Sequence, residues 1–362
     1  MKVAFVITNL KGGGAEKAVL RIAGALADRG NDVSVVLLEQ LLDHPALEGL
    51  TLHALTSQGK AATKGWIGKR ISAWRLRFLF LRLERGKRFD LVVSALPYCN
   101  EVVALAGITP AWFRIDNTLS GELELLRRNT PGKARRRHAR YRRLYEGKNL
   151  LAVSDGVARD LRASLGLADA NIVRIYNPVD TKALRALAAL PEPALPKEPY
   201  LIHVGRFAPQ KRHDLLFEAL RCSQLPHRLV LLTNSSPSLE RLIADYDLNG
   251  RVTVAGFQPN PYPWVAGADL LVLCSDHEGM PNVLIEALAC GTRVVSTDCP
   301  SGPREALKGD LARFLVRCDD AEALARTMCD ALASPRPVEM RSLDRFSGET
   351  IAQQYEALPG RR

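Results

Sequence analysis

Apolar positions along the chain fall into two kinds of run. Short β-rich stretches, "KVAFVIT", "DVSVVLL", "FDLVVSA" and "NLLAVS", then "YLIHVG", "RLVLLT", "RVTVAG", "DLLVLC" and "TRVVST", alternate with longer helical patterns. Strands separated by helices in this way predict βαβ units and parallel sheets. Residues 187–200, "LAALPEPALPKEPY", interrupt the alternation with Pro191, Pro193, Pro196 and Pro199, which predicts a stiff linker. The expected organisation is an α/β chain of two lobes, 1–190 and 191–345, joined near residue 195. Ligands are expected outside the carboxyl ends of the strands and in a cleft between the lobes. The ending "FSGETIAQQYEALPGRR" predicts one more helix, over 346–358, apolar at Ile351, Tyr355 and Leu358 and in need of a surface to bury against.

One segment breaks the apolar pattern with a single charge. In "EGMPNVLIEALACG", residues 278–291, every residue from Pro281 to Gly291 is apolar or small except Asn282 and Glu286. A helix apolar all round is a buried one, and an ionised carboxylate inside it is costly without a partner. The partner is either a basic residue of the same lobe or a ligand.

Composition narrows the classes. At 362 residues, 47% hydrophobic and 25% charged, the chain has an ordinary globular balance and room for two cores. The opening apolar run is too short for a signal peptide, and no stretch approaches the roughly 18 apolar residues that span a bilayer. Seven scattered cysteines with no C-x-x-C pair read as reduced thiols filling cores in a cytosol. The net charge of +11 is uneven: residues 1–185 hold 31 Lys+Arg against 17 Asp+Glu, and residues 186–362 hold 19 against 22. The excess positive charge therefore sits in the first half.

Three constellations could carry chemistry. "NLKGGGAEKAVL" sets Gly12, Gly13 and Gly14 between the first strand and the first helix, where backbone N–H groups can approach an anion at a helix N-terminus. A tight turn without a ligand has the same pattern, and Lys17 stands where the third glycine of G-x-G-x-x-G would be. "HVGRFAPQKRHD" puts Arg206 and Lys211 on either side of a turn at a strand end, which suits a diphosphate or a solvated loop. "CSDHEGMPNVLIEALACG" places Glu278 in a loop, Pro281 at the helix start and Glu286 further along the helix. Free N–H groups near Met280 to Val283 would make an anion site with a carboxylate on each side, able to accept hydrogen bonds from sugar hydroxyls. Asp245 and Asp247 precede an Asn-Gly turn and read as solvated caps, and the seven histidines have no metal-binding spacing, so neither a metal nor another cofactor is expected.

These segments, in this order, resemble the retaining glycosyltransferases of family 4, whose GT-B fold has two Rossmann-like lobes with parallel sheets facing across a cleft. The motifs that carry the resemblance are "GGGAEK", "GRFAPQK" and the paired glutamates of "EGMPNVLIEALACGTRVV"; it extends to "VSDGVARDLRASLG", "NIVRIYNPVD" and the last helix. The resemblance implies that Glu286 binds the ribose of a nucleotide, that Glu278 sits near the donor sugar, and that Arg206 and Lys211 hold the diphosphate. It implies further that Gly13 and Gly14 close over the diphosphate, that the base lies near Gly256 and Phe257 of "VAGFQPNPYPW", and that Gly279, Met280, Pro281 and Asn282 line the donor site. The last helix is then expected to cross back to the N-terminal, acceptor-binding lobe, with residues 191–345 as the donor lobe. "GFQPNPYPWVAGADLLVLCSDHEGMPNVLIEALACG" is also similar to bacterial members that build cell-surface oligosaccharides on polyprenyl diphosphate, several with UDP-hexosamines. Many members carry an acceptor-side histidine in the region aligned with "WFRIDNT"; here Asp116 and Asn117 occupy it.

The expected function is transfer of a sugar from a nucleotide donor, UDP-linked, to a lipid-linked or glycan acceptor in cell-envelope polysaccharide synthesis. The alternatives are a GT-B-like nucleotide-sugar epimerase and a non-catalytic phosphate- or nucleic-acid-binding protein. "WIGKRISAWRLRFLFLRLERGKRF" mixes Trp66, Ile71, Trp74, Phe78 and Leu81 with Arg70, Arg77, Arg82 and Arg85, a composition that suits an interfacial helix on anionic lipid. "RRNTPGKARRRHARYRRLYEGKN" adds ten cations between Arg127 and Lys148. A core helix beside a solvated basic helix is the other reading of these two stretches. An anionic membrane partner at the inner face of the cytoplasmic membrane is expected, and no nucleic-acid partner, because no recognisable module accompanies the charge.

Overall fold

Strands made almost wholly of Val, Ile, Leu and Phe bury both faces, as parallel strands covered by helices do. In a computed structural model of the chain, described at residues 1–11, 13–41, 49–57, 65–335 and 341–359, such strands organise two units. One comprises Met1–Pro178 with Arg345–Arg362, the other Val179–Asp344.

The first unit opens with β1 (Lys2–Ile7), α1 (Gly14–Asp28), β2 (Asp32–Leu37), β3 (Thr51–Ala54) and α2 (Gly65–Leu83). It continues through β4 (Leu91–Ala95), α3 (Pro97–Ala106), β5 (Ala111–Ile115), α4 (Leu119–Asn129) and α5 (Pro131–Tyr145). β6 (Asn149–Ala152), α6 (Asp155–Arg159) and β7 (Asn171–Arg174) complete the sheet. Its order is β3-β2-β1-β4-β5-β6-β7, parallel throughout. The winding reverses between β1 and β4, which is where such a sheet opens a crevice at its carboxyl edge.

The second unit begins with α7 (Thr181–Ala188), β8 (Tyr200–Val204), α8 (His213–Ser223), β9 (Arg228–Leu232), α9 (Pro237–Asp245) and β10 (Val252–Val254). It goes on with α10 (Tyr262–Gly267), β11 (Leu270–Leu273), α11 (Asn282–Ala289), β12 (Arg293–Thr297), α12 (Pro303–Ala306), β13 (Leu315–Val316) and α13 (Ala321–Ala333). The sheet order is β10-β9-β8-β11-β12-β13, again parallel, with its reversal between β8 and β11. One face packs on α8 and α13 through Leu216, Phe217, Leu220, Leu324 and Met328, all buried.

Helix α14 (Gly348–Glu356) returns to the first unit. Ser347 caps it by accepting from Thr350 N at 3.2 Å, Tyr355 tilts against Phe5 at 6.1 Å, and Glu356 accepts from Arg29 Nε at 3.1 Å. The Pro-rich stretch leads into β8 within the second unit, and α7, assigned to the first lobe on sequence, lies in that unit too. Four strands escaped the apolar-run reading: β3, β5, β7 and β13. β5 reads "AWFRI" and encloses a charge, and β13 is two residues long.

Helix α2 settles one alternative. Its buried face is the narrow row Gly68, Ser72, Ala73, Leu76 and Phe80. Trp66, Ile67, Ile71, Trp74, Phe78 and Leu81 point outward and are exposed, so the helix is no ordinary core helix. Among the described residues, no helix is long and apolar enough to cross a membrane.

Candidate active site

The reversal between β8 and β11 brings two loops side by side, and each contributes one end of an ion pair. The β8 loop closes in a short turn, Pro209–Lys211, and Lys211 Nζ donates to Glu278 Oε1 of the β11 loop at 2.6 Å. Glu278 is 8% exposed, so the carboxylate depends on that partner. The loops are bound together around the pair. Asp276 N donates to the Gln210 carbonyl at 2.9 Å, and Gln210 Nε2 donates to the His277 carbonyl. Arg212, at φ 48°, spreads its guanidinium over Asp214 at 2.9 Å, Asp276 at 2.8 Å and Asp319. These bonds fix where the lysine can reach.

Beneath Lys211 lie two histidines with buried rings, His203 and His213, with centroids 4.8 Å apart. His203 Nδ1 is 2.9 Å from the Val272 carbonyl, while its Nε2 and both nitrogens of His213 have no partner among the described residues. Burial pushes His203 down to about 3, with the neighbouring ring and Lys211 adding to the effect. His213 is pushed down to about 4 by burial first and Lys211 second. Both rings are therefore neutral at physiological pH, and Lys211 is the cation of this floor.

Helix α11 corrects the expectation of a helix buried all round. Leu284, Ile285, Ala287, Leu288 and Ala289 are buried, but Asn282, Val283, Glu286 and Cys290 are half-exposed. Asn282, Glu286 and Cys290 are spaced by four, so the helix's two polar residues share its one accessible stripe. Burial pushes the Cys290 thiol up to about 11, with Glu286 raising it further and Arg185 lowering it, which puts both charges within electrostatic reach of the thiol. The helix start is less open than expected, because Asn282 N already donates to the Met280 carbonyl at 2.9 Å. Behind it, Ser301 Oγ donates to the Gly279 carbonyl at 2.9 Å, and Gly302 packs on Gly279, Met280 and Pro281.

At the other end of this sheet edge, Phe257 is 46% exposed and its N–H donates to Asn234 Oδ1 at 3.2 Å; Gly256 beside it has φ 79°. Phe207 N donates to Thr233 Oγ1 at 2.9 Å. The ends of β8, β9 and β10 are thereby tied together. Arg206, on the same loop as Lys211, is exposed.

In the first unit, Gly13 caps α1 and Gly14 begins it, while Gly12 lies outside the described residues. The Glu16 carboxylate folds back over Gly13: a Cβ there would lie 1.9 Å from Glu16 Oε2. A carboxylate thus covers the backbone that was expected to meet a diphosphate. Asp116 and Asn117 follow β5. Asp116 Oδ1 accepts from Arg114 Nε at 2.8 Å, and Asn117 Oδ1 accepts from Thr118 N at 2.9 Å.

The contact of Lys211 with Glu278 joins residues of two segments that sequence reading had singled out separately, and Asn282 and Glu286, read together as the polar residues of one helix, share its accessible stripe. That reading missed Gln210, Arg212, Asn234, Ser301, Gly302 and the partners of Asp116. "SGP" at 301–303 carried a turn signal, and Arg114 in "AWFRI" was the same kind of signal as Glu286, one charge in an apolar run. Among the described residues, no three His, Cys, Asp or Glu side chains gather as a metal site would require.

Residues 12–183 match Glycosyltransferase Family 4, and residues 198–334 match Glycosyl transferases group 1. The two matches together span most of the chain, both are to glycosyltransferases, and the two Rossmann-like α/β units, each with a parallel sheet, are consistent with the GT-B fold. It is 33% identical over 177 residues to the N-acetylgalactosamine-N,N'-diacetylbacillosaminyl-diphospho-undecaprenol 4-alpha-N-acetylgalactosaminyltransferase of Campylobacter jejuni, covering 48% of each chain. The chain spans about half the length of the curated relatives it matches. Sucrose-phosphate synthase of Thermosynechococcus elongatus has a similar structure, with a TM-score of 0.76 at 20% identity over 99% of this chain and 98% of that one. HepE of Anabaena, solved with UDP and glucose, has a TM-score of 0.72 at 20% identity over 98% of each chain.

Proposed function

We propose that the protein is a retaining glycosyltransferase that moves a sugar from a UDP-linked donor to a lipid-linked glycan acceptor in cell-envelope polysaccharide synthesis. The observation that carries this reading is the Lys211–Glu278 pair at the reversal of the second sheet, beside the accessible stripe that bears Glu286. A nucleoside diphosphate fits that edge. Glu286 accepts hydrogen bonds from the ribose hydroxyls, Asn282 and the Gly279–Pro281 turn line the donor, and the backbone at Gly256 and Phe257 meets the base.

On the donor's arrival Lys211 exchanges part of its contact with Glu278 for a diphosphate oxygen, and exposed Arg206 adds a second cation. As the bond from the sugar to the diphosphate breaks, the leaving group gains negative charge, and each well-placed donor there is worth about 3–4 kcal/mol. The acceptor oxygen forms the new bond on the same face, and its proton passes to a diphosphate oxygen. Glu278 lies near the sugar as Lys211 turns to the phosphate. Asp116 orients the acceptor hydroxyl by accepting its hydrogen bond. Much of the rate then comes from positioning.

The UDP assignment draws on HepE, and the lipid-linked acceptor on the Campylobacter relative, whose name contains an undecaprenol diphosphate. The outward face of α2 supports a peripheral site on the inner face of the cytoplasmic membrane. Ile67, Ile71, Trp74, Phe78 and Leu81 recur at alternating spacings of four and three, flanked by exposed Arg70, Arg75, Arg77 and Arg82. In a self-paired coil those flanks would set like charges against each other, whereas an anionic lipid surface takes both the apolar strip and the arginines.

The test is a panel of UDP- and GDP-sugars read by thermal stabilisation and by turnover. A ligand at a hundred times its Kd adds about 2.7 kcal/mol to the state that binds it. Stabilisation by UDP and release of UDP only with a glycan-lipid present support transfer. Turnover of donor alone to an isomeric sugar makes the protein an epimerase, and no response to any nucleotide overturns the reading.

A further inference from the structure

Arg114 is the fourth of the five residues of β5 and is 1% exposed, a position that an apolar side chain would fill at less cost. Its guanidinium is held by Asp116, two residues on, and from two distant parts of the first unit. Nε and Nη2 each lie 2.8 Å from Asp116 Oδ1, Nη2 donates to Asn177 Oδ1 at 2.5 Å, and Nη1 donates to the Tyr355 hydroxyl on α14 at 3.2 Å. The backbone of the same residue is pinned too: Asn100 Nδ2 donates to the Arg114 carbonyl at 3.2 Å, and Ser94 Oγ donates to Asn100 Oδ1 at 2.6 Å. Burial works against the charge on Arg114, and Asp116 with Tyr355 more than offsets it, leaving the guanidinium above its ordinary value.

The consequence falls on Asp116. One carboxylate oxygen is committed to Arg114, while the other, Oδ2, is buried with no hydrogen-bond partner among the described residues. A buried acceptor left open is unusual in a folded protein and calls for an explanation, such as a role in the reaction. We propose that Arg114, gripped by Tyr355 and Asn177, is a positioning residue that aims Asp116 Oδ2 at the acceptor hydroxyl, so that the last helix takes part in acceptor use. This rests on Asp116 being the acceptor-side residue of the proposed transferase. The last helix is then more than a strap: through the Tyr355 hydroxyl it sets the angle of a carboxylate near the reacting oxygen.

A role in holding α14 to the sheet would use the same contacts, and a double-mutant cycle separates the two. Unsubstituted protein, Tyr355→Phe, Asp116→Asn and the double variant are compared for transfer to glycan-lipid, hydrolysis of the nucleotide sugar and thermal midpoint. Removing the hydroxyl takes one hydrogen bond from a charged group, so Tyr355→Phe lowers kcat for transfer about five- to tenfold while hydrolysis and donor KM stay put. In the Asp116→Asn background the same change costs less than about twofold, because its effect travels through the carboxylate. An equal loss in both backgrounds, or full transfer by Tyr355→Phe, overturns the positioning role. Should Tyr355→Phe fold poorly, Asn177→Ala removes another Arg114 partner and enters the same cycle with the same expectation. Full transfer by Asp116→Asn overturns the acceptor reading and this proposal together, whereas a defective Asp116→Asn with additive losses overturns the positioning alone.

Discussion

Replacing Gly302 by alanine tests how the donor loop is held. Gly302 has φ 95°, and a Cβ there would lie 2.4 Å from Pro281 Cδ, 3.0 Å from the Gly279 carbonyl oxygen and 3.2 Å from Met280 Cα. Left-handed backbone costs an L-residue about 1–2 kcal/mol. The contact with Pro281 is roughly 1 Å too short for carbon atoms at rest, and such overpacking costs about 1–3 kcal/mol. The sum is about 2–5 kcal/mol, which in a unit of this size lowers its thermal midpoint by about 5–15 °C. Gly256→Ala is the control: φ is 79° there, but the Cβ would meet nothing within 4 Å. Strain alone, about 1–2 kcal/mol, is expected. Calorimetry of both variants isolates the clash, and assays at low temperature read its effect on function. A shift of about 1 Å in Gly279–Pro281 costs up to about a hundredfold in turnover. Equal midpoints for the two alanine variants, or full activity in Gly302→Ala, would refute the reasoning.

Three further outcomes are expected. Glu278→Gln, nearly isosteric, removes the carboxylate facing Lys211 and is predicted to cut turnover at least about a hundredfold while UDP still stabilises the protein; loss confined to UDP binding would contradict that role. His203 and His213 protonate near 6.5 when unfolded but only at about 3 and about 4 when folded. The unfolded chain then binds more protons below pH 6.5, so their contribution to stability is full above that pH and is lost as pH falls toward 4, by up to about 1.4 kcal/mol per pH unit for each ring. His213→Phe is expected to flatten the urea-unfolding free energy between pH 6.5 and 4.5, and an unchanged slope would count against neutral buried rings. Trp74 and Phe78 are 62% and 50% exposed, so Trp74→Glu with Phe78→Glu leaves the thermal midpoint within about 2 °C while abolishing sedimentation with anionic vesicles at low salt; undiminished sedimentation would place the docking face elsewhere.

The parts of this fold that were legible in the sequence share one property: burial and periodicity agree. β1, β9 and β11 carry unbroken apolar runs, at 3–7, 229–232 and 270–273, buried on both faces, and β2 and β8 are broken only by the uncharged Ser34 and the neutral His203, so all five could be read directly. β5 could not, because Arg114 interrupts it and is satisfied by residues as distant as Tyr355, which local pattern cannot supply. β13 is too short to carry a period. The unit boundary escaped for a related reason. Prolines mark a stiff stretch, but α7 before it packs on α10 and α11, so composition located the stiffness and packing located the division. At the site, Glu278 and Lys211 were readable as residue types at strand ends, and their contact at 2.6 Å follows from β8 and β11 being neighbours. Glu286 raised a sound question on a wrong premise, since its helix keeps an open stripe. Gly302 was hidden because its constraint is a close approach to Pro281 in another loop.

The most direct test of the central claim is a crystal structure of the chain with UDP bound. The pentose hydroxyls are predicted within hydrogen-bond distance of the Glu286 carboxylate, and the diphosphate on Lys211 and Arg206 at the carboxyl ends of β8 and β11. A nucleotide bound away from that edge, with Glu286 turned from it to a basic side chain of its own unit, would contradict the account.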